Sequence, residues 1–185
     1  HIIRFPGGSI SDVFFCYVEK NIKPAGAPID LMNAAGEKSP AGFWYGKNTD
    51  SWTCSVDNYY SMLQQTGSQG IITINYGFAR YGTGTNPVAD AAHLAADWVR
   101  YDKGRTKYWE IGNEHFGDWE AGYRIDLAAN KDGQPEYTTG ALYAAHFKVF
   151  ADSMRKAANE SGATIFIGAL MADAESQPWQ TNTYK

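Results

Sequence analysis

Four short apolar segments alternate with three amphipathic patterns along the chain. Each segment is rich in isoleucine, threonine or aromatic residues and is bounded by glycine or polar residues, which predicts buried β-strands. The four segments are HIIRF (1–5), GIITINYG (70–77), KYWEIGNE (107–114) and ATIFIGALM (163–171).

Local capping signals predict where three helices lie between these strands. Ser55 can cap the first helix, and Gly67 ends it. Asn86 followed by Pro87 predicts the start of the second helix, and the third runs from about 140 to 160. The three apolar faces consist of Val56, Tyr59, Tyr60 and Leu63, of Val88, Ala92, Ala95 and Val99, and of Tyr143, Phe147, Phe150, Met154 and Ala157.

The alternation of strands and helices predicts an α/β fold with a parallel sheet and right-handed crossovers. Long loops follow the strands, at about residues 6–54, 76–86 and 115–139, whereas the returns from helix to strand are mostly short. Long irregular loops in a compact domain are usually functional. Their position predicts a working surface at the carboxyl ends of the strands, where both (β/α)8 barrels and doubly wound sheets bind ligands.

Composition narrows the class of protein. The 185 residues suit one domain, taken as 1–185, and 44% hydrophobic with 19% charged residues is typical of a globular chain. A formal net charge of −4 without charge blocks argues against a nucleic-acid partner, and no apolar run is long enough to predict a membrane partner. Cys16 and Cys54 could form a disulfide or be separate thiols, so the redox compartment stays open.

The stretch YWEIGNE ends in a candidate catalytic acid. Strand alternation would place Tyr108, Glu110, Gly112 and Glu114 on one face, with Glu114 where the strand opens into a loop. A partly desolvated carboxylic acid there would have a raised pKa, which suits a general acid, and Asn113 offers a donor and an acceptor beside it. The alternative is that Glu114 only caps the following loop.

WEIGNE followed by FGDWE resembles the acid/base strand of retaining glycoside hydrolases of the large (β/α)8 clan, most of all α-L-arabinofuranosidases. IIRFPGGS is similar to their second strand, and ITINYGFARYGT with AADWVRYD is similar to their third strand and its helix. The resemblance covers nearly the whole chain and implies strands two to five of a TIM barrel. That is about half of a fold of about 250 residues, so a part of a longer enzyme is expected.

The resemblance also implies roles for individual residues. Glu114 matches the general acid/base, and Asn113 matches the asparagine that bonds a sugar hydroxyl beside the scissile bond. Arg4 matches an arginine near the floor of the subsite, although an ion pair with Glu110 in the same layer is an equal alternative. Asn75 lies where the third strand exits toward the pocket, or it ties down a loop.

Further substrate contacts are predicted in the loops. His115 follows the acid/base candidate directly and could line the pocket. Trp44, Trp52 and Trp119 lie in long loops, where a tryptophan can stack on a sugar ring or anchor the loop.

The second carboxylate is missing from its expected place. Retaining glycosidases need a nucleophile about 5 to 5.5 Å from the acid/base, and in the resembled family it lies on strand seven. Other acids near strand ends, none of which falls in that place, are Asp118, Glu120, Asp173 and Glu175. SISDVFFCYVEK also departs from the commoner arabinofuranosidase pattern, which leaves xylosides, glucuronides and β-glucans as alternative substrates.

The sequence therefore predicts part of a retaining glycoside hydrolase that acts on plant-type polysaccharides or oligosaccharides, uses no metal or organic cofactor, and is secreted or periplasmic. The expected partners are the oligosaccharide, the rest of the barrel, or a second copy of the chain. One alternative is a non-catalytic sugar-binding or self-associating half-barrel. Another is a complete doubly wound α/β protein in which the Asn-Glu pair is incidental.

Overall fold

A computed structural model describes residues 1–172 and Trp179. The elements follow in the order β1 (Ile2–Phe5), a 3-10 helix (Gly8–Val13), β2 (Phe14–Phe15), β3 (Asp30–Met32), β4 (Lys38–Pro40), β5 (Trp44–Tyr45), α1 (Val56–Thr66), β6 (Gln69–Ile74), α2 (Gly77–Tyr81), α3 (Pro87–Asp102), β7 (Tyr108–Ile111), α4 (Gly140–Glu160) and β8 (Phe166–Gly168).

The main sheet is parallel and has the order β1-β6-β7-β8. One face is buried under the helices: Phe5 stacks on Tyr59 of α1, and Trp109 meets Trp98 of α3 edge to face. The opposite face carries polar residues between apolar ones, and Thr73 lies directly opposite Glu110 on it. The fold is thus α/β with a parallel sheet, and the prediction is confirmed at that level.

The capping signals act as the sequence predicts. The Ser55 side chain accepts a hydrogen bond from the Asn58 N–H at 3.2 Å, and Gly67 ends α1 with φ 62°. The Asn86 side chain accepts from the Ala89 N–H at 3.2 Å at the start of α3. These contacts satisfy N–H groups that a helix leaves unpaired in its first turn. The predicted bounds of α4 are also confirmed.

Strand β7 ends earlier than the sequence predicts. Its last residue is Ile111, because Gly112 has φ 79° and leaves the extended conformation. The Gly112 N–H still donates to the Ile74 carbonyl at 2.9 Å, so the chain stays close to β6 as it turns. The predicted alternation therefore holds for Tyr108 and Glu110 but does not extend to Glu114.

The loops contain structure that the sequence pattern does not predict. Helix α2 lies inside the predicted loop 76–86, and all five of its residues are buried. The loop 6–54 contains the 3-10 helix, the parallel pair β2–β5 and the hairpin β3–β4, and it begins with a cis Phe5–Pro6 peptide bond. Cys16 and Cys54 are free thiols. Within the described residues, every helix is too short or too polar to span a bilayer.

Candidate active site

A tight turn at the carboxyl end of β7 carries Asn113 and Glu114. Glu114 has φ 42°, in the left-handed region, and its carbonyl accepts a hydrogen bond from the Gly117 N–H at 2.6 Å. The Asn113 N–H donates to the buried Asp12 carboxyl group at 3.0 Å. Consequently the side chain of Asn113 is buried, whereas Glu114 is exposed.

Asn113 connects three segments of the chain. Its Oδ1 accepts a hydrogen bond from Arg4 of β1 at 3.0 Å. Its Nδ2 donates to Glu120 Oε1 at 2.8 Å, and Ser9 Oγ donates to the same oxygen at 2.8 Å. Because both ends of the amide are bonded, the network fixes its orientation.

Arg4 forms one of the two interactions that the sequence leaves open, the ion pair with Glu110. Its Nε lies 2.6 Å from Glu110 Oε2, so the predicted ion pair within one layer is confirmed. Thr73 Oγ1 donates to the same carboxylate oxygen at 3.0 Å. Both charged side chains are about one-third exposed, so the pair forms a polar, electrically balanced surface beside Asn113.

Glu114 is not desolvated by the described residues, and the expectation of a partly buried acid is wrong here. Glu114 lies in a turn with a left-handed backbone, beyond the last residue of β7, so the alternation of the strand no longer sets the side of its side chain. Its one hydrogen bond in this part of the chain comes from Trp119, whose indole N–H donates to Oε2 at 3.3 Å. Trp119 is itself largely exposed, which leaves an indole face beside the carboxylate.

Glu120 is the buried carboxyl group of the site, and the sequence pattern predicts no role for it. Burial raises its pKa and the charge of Glu114 adds to the rise, while hydrogen bonds from Ser9 and Asn113 oppose it. Its Oε2 is also buried and has no hydrogen-bond partner among the described residues. The place of Glu120 within FGDWE, six residues after Glu114, is the signal in the sequence that could have indicated it.

His115 lies beneath the site and not in it, so the prediction that it lines the pocket is wrong. It is fully buried, and its Nε2 donates to the Ala121 carbonyl at 3.1 Å, since a carbonyl can only accept. Its Nδ1 faces Asp12 Oδ2 at 3.5 Å. Burial raises the pKa of Asp12 well above its usual range and lowers the pKa of His115 to about 3. Both pKa shifts favour a neutral pair, in which Asp12 is protonated and His115 is uncharged.

Asp12 in turn holds the backbone of the site. The backbone N–H groups that donate to its carboxyl oxygens are those of Tyr76, Gly77 and Asn113. The 3-10 helix after β1 is therefore joined to the carboxyl ends of both β6 and β7, which sets the position of the Asn113–Glu114 turn.

Asn75 and Trp44 lie outside this network. The Asn75 amide donates to the Phe14 carbonyl and to Tyr81 Oη, both at 3.2 Å, and its Oδ1 accepts from the Phe78 N–H. These bonds agree with the alternative in which Asn75 holds a loop in place. Trp44 lies in a separate recess with Trp52.

The other acids that the sequence singles out do not pair with Glu114 among the described residues. Asp118 is exposed, and Asp173 and Glu175 lie outside the described residues. In residues 1–172 with Trp179, no cluster of three histidine, cysteine, aspartate or glutamate side chains could hold a metal ion.

Comparison with protein-family models gave no match, and comparison with curated proteins gave none of significant similarity. The class of protein therefore has to be argued from the site itself. An exposed carboxylate beside an indole and a fixed amide can exchange a proton with a bound ligand and hold one of its hydroxyl groups.

Proposed function

We propose that the chain carries the acid/base part of a retaining (β/α)8 glycoside hydrolase site, similar to that of α-L-arabinofuranosidases, with Glu114 as the acid/base. The observation that carries this proposal is the Asn113–Glu114 turn at the carboxyl end of a parallel strand, with Arg4 of β1 bonded to Asn113. Catalytic groups of this architecture come from the ends of several strands.

In the proposed mechanism Glu114 protonates the glycosidic oxygen while a second carboxylate attacks the anomeric carbon. Glu114 then takes a proton from the water that releases the sugar. Asn113 donates one N–H to Glu120, so its second Nδ2–H is the group left to hold the sugar 2-hydroxyl. That contact strengthens as the oxocarbenium-like transition state forms.

Glu120 is unsuited to be the attacking carboxylate. Its Oε1 accepts two hydrogen bonds and its Oε2 is buried, so neither oxygen is open to an anomeric carbon. The nucleophile of the proposed enzyme would instead come from strand seven of a complete (β/α)8 barrel, as the family resemblance implies.

The site suits a neutral sugar. Arg4 and Glu110 balance each other's charge, so the surface beside Asn113 offers polar groups without a net charge. The proposed substrates are oligosaccharides or polysaccharides of plant type, with arabinofuranosides first. Because such polymers are too large to enter a cell intact, the proposed enzyme acts outside the cytoplasm.

The expected result is ligand binding that depends on Asn113, with little turnover. The 185-residue chain should hydrolyse aryl α-L-arabinofuranosides, xylosides and glucosides slowly or not at all, because in the proposed enzyme the nucleophile comes from strand seven. An arabinofuranose-shaped iminosugar should bind, and Asn113→Ala should weaken that binding by about ten-fold or more, about 1.4 kcal/mol, in calorimetric titration.

Glu114→Gln should weaken the same binding, because the iminosugar cation loses its carboxylate. The matched control is Glu19→Gln, at an exposed glutamate paired loosely with Lys47, which should bind like the parent. Absence of iminosugar binding by the parent would overturn the proposal. Fast turnover abolished by Glu114→Gln would show instead that the chain supplies its own nucleophile.

A second candidate function is a non-catalytic half-barrel that associates with a second copy of the chain. The face of the sheet opposite the helices exposes Ile2, Tyr108 and Phe166, and exposed apolar patches of this kind favour association. This candidate predicts a discrete dimer in light scattering, which Tyr108→Lys should convert to a monomer. A monomeric parent at tens of micromolar would contradict it.

A further inference from the structure

The geometry points to a second sugar-binding site, in a recess of about 300 Å³ formed by the loop after β1. Neither Glu114 nor any described residue that it contacts lines this recess. Its principal side chains are Trp44, Trp52, Asn48, Phe43, Lys20 and Thr53, which together we call the tryptophan recess. The inference rests on the substrate class of the proposed function but not on its catalytic residues.

The two indoles form an open apolar corner. Trp52 is 68% exposed and Trp44 is 37% exposed, and their rings meet edge to face at 5.6 Å. Trp44 is held by the pairing of β5 with β2, but Trp52 makes no other ring contact or hydrogen bond in the described part of the chain. Anchoring of a loop therefore does not account for Trp52, whereas stacking on a ligand does.

Asn48 supplies the polar group at this corner. It is only 8% exposed, its Oδ1 accepts from the Asp50 N–H at 3.0 Å, and its carbonyl accepts from Thr53 Oγ1 at 3.0 Å. No hydrogen bond from its Nδ2 occurs among the described residues. The N–H groups of this amide lie beside the recess and can donate to a sugar hydroxyl.

The charges of the recess identify the class of ligand. Lys20 Nζ lies 2.6 Å from Asp50 Oδ2, and this contact is the main reason that the pKa of Asp50 is lowered, with a smaller effect from Asn48. The ammonium group is therefore already paired, which disfavours an anionic ligand. The amide and hydroxyl groups disfavour a purely apolar one. A neutral sugar has both an apolar ring face for an indole and hydroxyls for the rim.

The tryptophan recess is independent of the candidate active site. No lining residue is shared with the network around Asn113, and no hydrogen bond or ring contact among the described residues joins the recess to Glu114. A volume of about 300 Å³ is at the lower limit for small-ligand pockets, so it suits one or two sugar units of a longer chain.

The test is a site-resolved titration of the Glu114→Gln variant with xylohexaose and with arabinohexaose. The indole N–H signals of Trp44 and Trp52, assigned from the tryptophan-to-phenylalanine variants, should shift and saturate. Trp52→Ala should weaken the affinity measured from the Trp44 signal by about ten-fold or more. Because Trp52 is largely exposed, its removal should leave the fold intact. Trp119→Ala, which removes another exposed indole, should leave it unchanged.

Several results would overturn the inference. One is an unchanged spectrum of both indoles at millimolar hexasaccharide, and another is equal affinity in parent and Trp52→Ala. Preference for an oligogalacturonate would replace the neutral sugar by an anionic one. Loss of iminosugar binding with an intact titration at Trp44 would contradict only the catalytic proposal, and the reverse pattern would contradict only the tryptophan recess.

Discussion

Replacing Arg80 with leucine is expected to lower the free energy of unfolding by about 3 to 5 kcal/mol. Arg80 lies in α2 and is fully buried, without a carboxylate among its hydrogen-bond partners. Its guanidinium group donates to the oxygen atoms of Gly122, Gln134, Pro135, Glu136 and Thr138. Leucine would fill much of the volume but would remove a donor from each of these oxygen atoms. The Gly122 and Glu136 carbonyls would keep the bonds from Thr138 and Ile125, whereas Gln134 Oε1 and the Pro135 carbonyl would keep no donor among the described residues.

The same change should loosen the segment that follows Glu120. Every acceptor of Arg80 belongs to residues 122–138, so this one side chain adds to the bridge between Arg124 and Tyr137 in holding the loop together. Hydrogen exchange in 122–138 should therefore accelerate more than exchange in α3 or α4.

Urea unfolding of the parent and of Arg80→Leu measures the loss directly. Arg100→Leu is the matched control, because Arg100 is on the surface with Asp97 and Glu160 as partners and should cost less than about 1 kcal/mol. A loss at Arg80 as small as that at Arg100 would show that the loop is held by other contacts.

Stability is expected to fall on both sides of a maximum near about pH 6.5, by about 3 kcal/mol on the acid side. On the alkaline side the cause is the buried pair of Asp12 and His115. The unfolded chain releases the His115 proton near about pH 6.5 and the Asp12 proton near about pH 4. The folded pair keeps one proton throughout, because the pKa of Asp12 is raised well above its usual range and that of His115 is lowered to about 3.

The sign follows from the number of bound protons. Between about pH 4 and 6.5 both states of this pair bind one proton, so the pair adds no pH dependence. Above about pH 6.5 the folded state binds one more, and stability falls by about 1.4 kcal/mol per pH unit until Asp12 ionises. Glu120, whose pKa burial also raises, acts in the same direction from its unfolded pKa of about 4.3 upward, so below about pH 6.5 it offsets part of the acid limb.

On the acid side the cause is His146. Burial, aided by the charge of Arg80, lowers its pKa to about 4. The unfolded state therefore binds the extra proton between about pH 6.5 and 4, and stability falls by about 3 kcal/mol as the pH is lowered through that range.

Unfolding free energies at pH 4.5, 6.5 and 8.5 would reveal both slopes. Asp12→Asn should flatten the alkaline limb, and His146→Gln should flatten the acid limb, whatever their absolute cost. Stability of the parent that still rises between pH 6.5 and 8.5 would rule out a proton held by Asp12.

The helices and the parallel sheet could be predicted because their signals are local. Ser55, Gly67 and the Asn86–Pro87 pair each act within one helical turn, and β-branched and aromatic runs bounded by glycine indicate buried strands. The order of these elements then leaves few topologies, of which a parallel sheet is one.

The structure of the loops could not be predicted, because it depends on distant partners. Helix α2 is only five residues long and begins where Tyr76 and Gly77 donate to Asp12, more than sixty residues earlier in the chain. A Cβ atom at Gly77 would lie 2.6 Å from the carbonyl oxygens of Asp12 and Ala121, so close backbone approach is also part of this packing. Contacts between residues so far apart in the chain leave no periodic pattern from which they could be predicted.

The sequence predicts which residues meet at the candidate site better than it predicts which of them are buried. The Arg4–Glu110 pair follows from strand alternation, and Asn113 lies beside both Arg4 and the acid candidate. The burial expected for Glu114 occurs at Glu120 instead, since alternation stops where the backbone turns at Gly112.

Because the backbone at Glu114 is left-handed, selection for stability alone should favour other residues at this position. Glycine tolerates that conformation without the penalty of about 1 to 2 kcal/mol that a side chain with a Cβ atom incurs, and asparagine visits it more readily than glutamate. A library of variants sorted only for resistance to unfolding should therefore enrich the substitutions Glu114→Gly and Glu114→Asn over the parent residue. The proposed acid/base role of the carboxyl group would account for a glutamate at this place.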